Sequence, residues 1–126
     1  MTKEMRGLKF SGMFALDEID LKSGCLEIRV QGELDLAEAP QLEQVVKRAS
    51  RYDQVVISLE ECEFIDSTGI ALIIHSYQER KREGQELAVC GVAGQVQRVL
   101  ELTGLYEHGL IFETAEAACA ASEGAS

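Results

Sequence analysis

Two kinds of apolar segment alternate along this chain of 126 residues, and their order limits the fold more than any other feature. Short runs rich in β-branched or apolar residues, which are typical of buried strands, lie at 55–59, 87–90 and 110–112. Segments with the apolar spacing of a helix that buries one face lie beside them, at 37–50, 68–82, 95–102 and 114–121. Strands that alternate with helices form a largely parallel sheet with right-handed crossovers. The sequence therefore predicts an α/β fold.

The first thirty residues predict a different start to the sheet. Between 25 and 30, apolar residues at the even positions alternate with charged residues at 27 and 29, which is the period of a half-buried strand. Residues 7–16 also contain alternating apolar positions, and residues 20–24 have the polar and glycine composition of a turn. We therefore expect an N-terminal β-hairpin at the edge of the sheet.

Length and charge narrow the class of partner. A chain of 126 residues fits one domain, which we place at 1–126 with an ordered core at about 7–121 and a short frayed tail. Its 12 Lys and Arg against 22 Asp and Glu give a net charge of −10, which repels nucleic-acid phosphates and anionic membrane surfaces. Because no long apolar run is present either, we expect a cytoplasmic protein without nucleic-acid binding or direct membrane insertion.

The four cysteines predict neither a metal site nor a redox pair. Cys25, Cys62, Cys90 and Cys119 stand far apart, without a Cys-x-x-Cys motif or a Cys/His cluster. We expect reduced thiols, with the first three buried as small apolar side chains.

The segment most suited to a functional site is 60–69, between a buried strand and an apolar helix. Open α/β sheets place their sites at the carboxyl ends of strands. Within it, Ser67 suits a helix N-cap, Asp66 favours the positive end of the helix dipole, and Gly69 leaves room for the backbone of a partner. The alternative interpretation is that Asp-Ser-Thr-Gly only caps the helix.

Catalysis by Ser67 is poorly supported. The nearest histidine in sequence, His75, lies eight residues along the same helix, about 12 Å away, too far to act as a base. The chain also contains neither a Gly-x-Ser-x-Gly elbow nor a phosphate-binding loop of the Walker type. We therefore expect no catalytic residue, and a serine that serves as a substrate instead.

The helix that follows Ser67 predicts a surface for a partner. At 100° per residue, the apolar residues at 70, 73, 74 and 77 share one side, while Thr68, Leu72 and His75 lie opposite. We expect Leu72 to be exposed and to serve as an apolar anchor one turn from Ser67.

Three motifs, in order, resemble one family. Residues 32–35 (Gly-Glu-Leu-Asp), 64–69 (Phe-Ile-Asp-Ser-Thr-Gly) and 99–105 (Val-Leu-Glu-Leu-Thr-Gly-Leu) are similar to the STAS domain of bacterial anti-sigma factor antagonists over nearly the whole chain. The resemblance implies a single STAS-like domain, with a mixed, mostly parallel sheet, helices packed on one side and an N-terminal hairpin.

The same resemblance implies a function. In the family, the unphosphorylated antagonist binds an anti-sigma factor that is also a serine kinase, which frees a sigma factor, and a serine phosphatase resets the phosphorylated form. Carried over, Ser67 is the phosphoacceptor. The expected partner-binding residues are Asp35, Asp66, Thr68 and Gly69, together with Leu72 and His75 from the helix face. The kinase supplies ATP and Mg²⁺, so the resemblance implies that this chain is not an enzyme and holds no cofactor or metal.

Two alternatives stay open. One is a STAS subunit of a lipid-transport ABC complex or of a stress-sensing assembly, and the other is a small nucleotide-binding protein or enzyme. The oligomeric state is also left open by the sequence.

Overall fold

Six strands form one sheet in the order of the chain. The computed structural model describes residues 5–9, 14–21 and 23–124. The strands are β1 (Met5–Lys9), β2 (Ala15–Leu21), β3 (Cys25–Leu34), β4 (Gln54–Ile65), β5 (Glu86–Cys90) and β6 (Ile111–Phe112). The helices are α1 (Ala39–Arg48), α2 (Ser67–Arg82), α3 (Gly94–Thr103) and α4 (Ala115–Gly124), with a 3₁₀ turn at Leu105–His108. The predicted α/β class is confirmed.

The sheet is mixed, as expected. β1 and β2 pair antiparallel, as do β2 and β3, whereas the pairs β3–β4, β4–β5 and β5–β6 are parallel. A hairpin is present, formed by β2 and β3, where Leu21 lies opposite Cys25 and the backbone of Ser23 and Gly24 has positive φ. Its first strand is 15–21 and not the expected 7–16, because residues 7–9 belong to β1, which pairs with the other side of β2 and forms the edge of the sheet. Of the predicted strand at 7–16, residues 10–13 lie outside the described residues, as do 1–4 and 125–126 from the predicted ends of the domain.

Three helices share one face of the sheet because of the strand order. Right-handed crossovers that advance one strand at a time in the same direction place their helices on the same side. Accordingly, the larger core packs the even-numbered residues of β3 and the odd-numbered residues 55, 57 and 59 of β4 against Leu42 of α1, Ile73 of α2 and Leu100 of α3.

The expectation that all helices pack on one side is wrong for α4. A second apolar cluster joins Val56, Ala88 and Cys90 of the opposite sheet face to Ala115 and Ala118 of α4. Because α4 follows the last strand, it is not a crossover, and the handedness rule does not determine its face.

The expectation of four reduced thiols is also wrong. Cys25 of β3 and Cys119 of α4 form a disulfide, with Cα atoms 6.4 Å apart and a sequence separation of 94. Cys62 and Cys90 are free and buried, as predicted. The pair was not predicted because it depends on α4 lying across the face that carries the side chain of Cys25.

β4 is longer than its sequence suggests. We expected a strand at 55–59, but β4 continues to Ile65 through a polar stretch with three glutamates. Pairing with β3 extends over this stretch through two register shifts, one between Arg29 and Gln31 and one between Gly32 and Glu33. Residues 60–65, which we expected between the strand and the helix, therefore belong to the sheet. Their pairing fixes the position of Asp66 and Ser67, which follow directly.

Candidate functional site

Ser67 lies at the carboxyl edge of the sheet, where one residue separates β4 from α2. It is the first residue of α2, and its side chain is exposed. The helix cap is Asp66, whose Oδ1 accepts a hydrogen bond from the Gly69 N–H at 3.0 Å. The prediction that Ser67 is the N-cap is therefore wrong by one residue. Since Asp66 satisfies the helix end, the hydroxyl of Ser67 is left facing solvent.

Asp66 also joins α2 to the β3–α1 loop, residues 35–38. Its Oδ2 accepts from the Leu36 N–H at 3.2 Å, and its own N–H donates to the Leu34 carbonyl at 3.3 Å. Within the loop, Asp35 Oδ1 accepts from the Glu38 N–H at 3.2 Å, which holds the turn that leads into α1. The structure thus brings Asp35, Asp66 and Ser67 to one edge, as the sequence predicted.

Gly69 has a role inside the protein. A Cβ at this position would lie 2.5 Å from the Leu34 carbonyl oxygen and 2.8 Å from Ile65 Cγ1, closer than real Cβ atoms approach. The buried glycine therefore lets the first turn of α2 pack against β3. Its missing side chain makes room for the chain's own backbone, so the prediction that it leaves room for a partner is wrong. Thr68, beside it, is half-buried.

The buried part of α2 is wider than expected. The apolar residues at 70, 73, 74 and 77 pack on the core, in agreement with their spacing. Leu72 is only 8% exposed, so the prediction that it is an exposed anchor is wrong. Gly69 and Ser76 are buried as well, and Ser76 lies beside Val46 of α1. His75 is exposed as expected, with Nε2 at 3.9 Å from Glu79 Oε2.

Two exposed apolar side chains border the site and were not singled out from the sequence. Leu36 is 71% exposed and is tied through its N–H to Asp66, while Phe64 is 39% exposed and lies one residue before the end of β4. Their signal in sequence is weak, because neither belongs to a run with strand or helix periodicity and each directly follows an acidic residue. They supply the exposed apolar surface that Leu72 does not.

Gln95 is a further residue that the sequence did not reveal. Its side-chain amide, in the first turn of α3, donates to the Ile65 carbonyl at 3.0 Å and accepts from the Ile65 N–H at 3.1 Å. β5 ends at Cys90 and pairs with β4 only as far as Ser58. Beyond that point β4 has no strand on this side, and the amide of Gln95 bonds to its backbone instead.

The surroundings of Ser67 are acidic. Glu33, Glu61 and Glu63 are exposed on the final residues of β3 and β4, and Asp66 precedes the serine directly. Among the residues that the structure describes, no hydrogen bond or ion pair joins Ser67 to a histidine, and no group of three His, Cys, Asp or Glu could hold a metal ion. The site offers a hydroxyl at a helix start without a base to activate it.

In the described part of the chain, no helix is long and apolar enough to cross a membrane. The fold and the edge around Ser67 are those of a small α/β domain with an exposed serine at the start of a helix. A family model for the STAS domain matches residues 18–118, which is most of the chain. This protein belongs to the STAS domain family.

Its relatives have regulatory names. The anti-sigma F factor antagonist of Paenibacillus polymyxa is 32% identical over 94 residues, covering 71% of this chain and 80% of that protein. The crystal structure of an anti-sigma factor antagonist from Mycobacterium paratuberculosis superposes with a TM-score of 0.78 at 26% identity, over 90% of this chain and 97% of that one. The Bacillus cell fate determinant SpoIIAA in its phosphorylated form shares the fold, with a TM-score of 0.64 at 18% identity over 86% and 97% of the two chains.

Proposed function

We propose that this chain is an anti-sigma factor antagonist that binds an anti-sigma serine kinase and is released when that kinase phosphorylates Ser67. The observation that carries the proposal is the position of Ser67, an exposed hydroxyl at the first residue of α2, with the helix already capped by Asp66. The names of the relatives support the general role, and the name of the Bacillus neighbour says that one protein of this fold exists in a phosphorylated form.

The binding surface in this proposal is the edge around Ser67. Leu36 and Phe64 supply apolar contacts, and Asp35, Asp66, Thr68 and His75 supply polar ones. Gly69 and Leu72 contribute from inside, because they set the position of α2 against the sheet. Small exposed apolar groups within a polar rim are typical of protein interfaces.

Phosphorylation acts on this surface through charge. A phosphate on Ser67 adds about −1.5 to −2 charges at neutral pH. The free N–H groups at the start of a helix tolerate that charge, so the fold survives. A partner that has accommodated the neutral hydroxyl beside Asp66 and Glu63 meets a bulky dianion instead. A weakening of about 3 kcal/mol lowers affinity about 150-fold, which is enough for a switch.

The kinase supplies ATP, Mg²⁺ and the catalytic groups, so this chain acts as substrate and binding module, not as an enzyme. A serine phosphatase removes the phosphate and resets the cycle. These partners place the protein in the cytoplasm. Its net charge of −10 fits a regulator that acts on transcription through another protein and does not bind DNA.

The test is phosphorylation of the full chain by its cognate anti-sigma kinase in the presence of ATP and Mg²⁺. One phosphate should appear on Ser67, and Ser67→Ala should abolish it while Thr68→Ala, the matched control on the next residue, retains it. Ser67→Asp should weaken binding to the kinase in pull-down and calorimetry. Phosphate on Thr68 or Ser76 would overturn the residue assignment, and co-purification with a permease or ABC ATPase in place of a kinase would overturn the role.

A further inference from the structure

β5 has an open edge over its first half. β6 is only two residues long, and within the described residues it pairs with Val89 and Cys90 alone. Val89 donates its N–H to the Leu110 carbonyl at 2.8 Å, so the peptide groups of Val89 face this edge. Alternate residues of a strand present their N–H and C=O to the same side. The peptide groups of Leu87 therefore face the edge as well, at a level where β6 has not begun.

A groove of about 450 Å³ runs along this open edge. One wall is formed by Tyr77 and Lys81 of α2 with His108 of the 3₁₀ turn, and the other by Ala118 and Ala121 of α4. Its volume falls within the usual range of about 300–1,000 Å³ for ligand sites.

Gln54 supplies a second, independent observation. This residue is 4% exposed and contributes to the lining of the groove, yet its Oε1 has no hydrogen-bond partner among the residues that the structure describes. Gln54 lies on the sheet face covered by α4, since it has the same parity along β4 as Val56. A buried carbonyl without a donor is unfavourable, so the groove contains an acceptor that a ligand could satisfy. Glu86 adds a carboxylate on the same face.

The wall formed by α2 carries a positive charge, in contrast to the hydrogen-bond acceptors Gln54 and Glu86. The ammonium of Lys81 lies 3.4 Å from the Tyr77 hydroxyl and 5.5 Å from the centroid of its ring. Tyr77 in turn contacts the ring of His108. Within the part of the chain that the structure describes, Lys81 has no carboxylate partner. This wall therefore complements an anionic group in a chain that is otherwise strongly acidic.

We infer that this groove binds an extended peptide of a partner protein, which adds as a short strand beside Leu87 in line with β6. Successive side chains of a strand point to opposite faces. One acidic side chain of the peptide faces α2 and contacts Lys81, Tyr77 and His108. The peptide residues before and after it face α4, and their side chains donate hydrogen bonds to Gln54 and Glu86. Main-chain hydrogen bonds give affinity in this mode of recognition, and the alternating pockets give specificity.

The groove lies far from the phosphorylation site. Ser67 and Lys81 are fourteen residues apart on one helix, or about 21 Å. Ser67 follows the carboxyl end of β4, whereas Lys81 lies beside the amino end of β5. The peptide can therefore remain bound in either state of Ser67. The inference stands whether or not Ser67 is phosphorylated, so it does not rest on the proposed function.

The probe is the peptide Val-Asn-Glu-Asn-Val-amide with a fluorophore on its N-terminal amine, and binding to the full chain is followed by fluorescence anisotropy. We expect saturable binding below millimolar concentration, with amide NMR shifts concentrated at Leu87, Ala88 and Leu110. Lys81→Met should weaken binding about tenfold, while Lys81→Arg and the matched exposed control Lys47→Met leave it unchanged. Gln54→Leu should also weaken it.

Backbone pairing is tested by two N-methylated peptides, one methylated at the glutamate amide and one at the following asparagine amide. Because only alternate N–H groups of an added strand face the protein, one version should lose binding and the other retain it. Equal loss, equal retention, shifts that map elsewhere, or no binding at millimolar peptide would each overturn the inference.

Discussion

Gln95 and Ile65 are joined by two hydrogen bonds at once, in which the side-chain amide of Gln95 pairs with the N–H and the C=O of Ile65 at 3.1 and 3.0 Å. The amide takes the place of a neighbouring strand beyond the end of β5. Ile65 is followed directly by the cap Asp66 and by Ser67. The position of the candidate phosphoacceptor thus depends on α3, a helix that supplies no residue to the proposed binding surface.

Substitution of Gln95 by alanine should lower the free energy of unfolding by about 1–3 kcal/mol, because both peptide groups of Ile65 lose their partner. Urea denaturation of the purified chain measures the change. Gln97→Ala is the matched control on the same helix, since the Gln97 amide contacts only the exposed Glu101, and it should stay within about 0.5 kcal/mol of the parent. Equal stability of the two variants would contradict the bracing role of Gln95.

Gly69→Ala should destabilise the protein, although alanine is the better helix former. The added Cβ would meet the Leu34 carbonyl at 2.5 Å, and overpacking of this kind costs about 1–3 kcal/mol. At the exposed Ala71, two residues later in α2, the reverse substitution Ala71→Gly should cost about 1 kcal/mol through propensity alone. Thermal denaturation should therefore show that alanine is harmful at 69 and favourable at 71. A Gly69→Ala variant more stable than the parent would show that β3 and α2 can separate there.

These two residues also show what the sequence could predict. The β-branched runs and helical spacings were enough for the class of fold and for the bounds of α1, α2 and α3 to within two residues, since burial of regular elements dictates them. The apolar side of α2, at 70, 73, 74 and 77, was found in the same way, since all four residues pack on the core. The burial of Leu72 was not found, because the buried part of α2 also includes Gly69 and Ser76, small residues that hydrophobic periodicity does not register.

Long-range relations were missed for a different reason. The extension of β4 to Ile65 depends on pairing with β3, and the disulfide depends on the face that α4 chooses. Neither is a property of a local window of sequence. The candidate site was found because its motif is contiguous, whereas Leu36, Phe64 and Gln95 join it only through tertiary contacts.

Leu36→Ser should weaken binding of the anti-sigma factor without loss of stability. The side chain is 71% exposed and contributes little to the core, while its N–H bond to Asp66 is a backbone contact that the variant retains. A buried interface leucine is worth about 2 kcal/mol, so affinity should fall about thirtyfold. Leu102→Ser is the matched control, because Leu102 is also strongly exposed but belongs to the far part of α3. Similar affinity of both variants in calorimetry would remove Leu36 from the interface.

The disulfide between Cys25 and Cys119 makes a prediction that thiol counting can check. In the native, non-reduced protein at pH 8, Cys62 and Cys90 should resist iodoacetamide, because both are buried and burial raises the pKa of the Cys90 thiol to about 11. Denaturation without reductant should expose two reactive thiols, and denaturation with reductant should expose four.

Reduction of the disulfide should also lower the free energy of unfolding by about 2–5 kcal/mol, since the bond closes a long loop. The Cys25→Ser, Cys119→Ser double variant should be insensitive to reductant. Four reactive thiols in the denatured, non-reduced protein would show that α4 is held by packing alone.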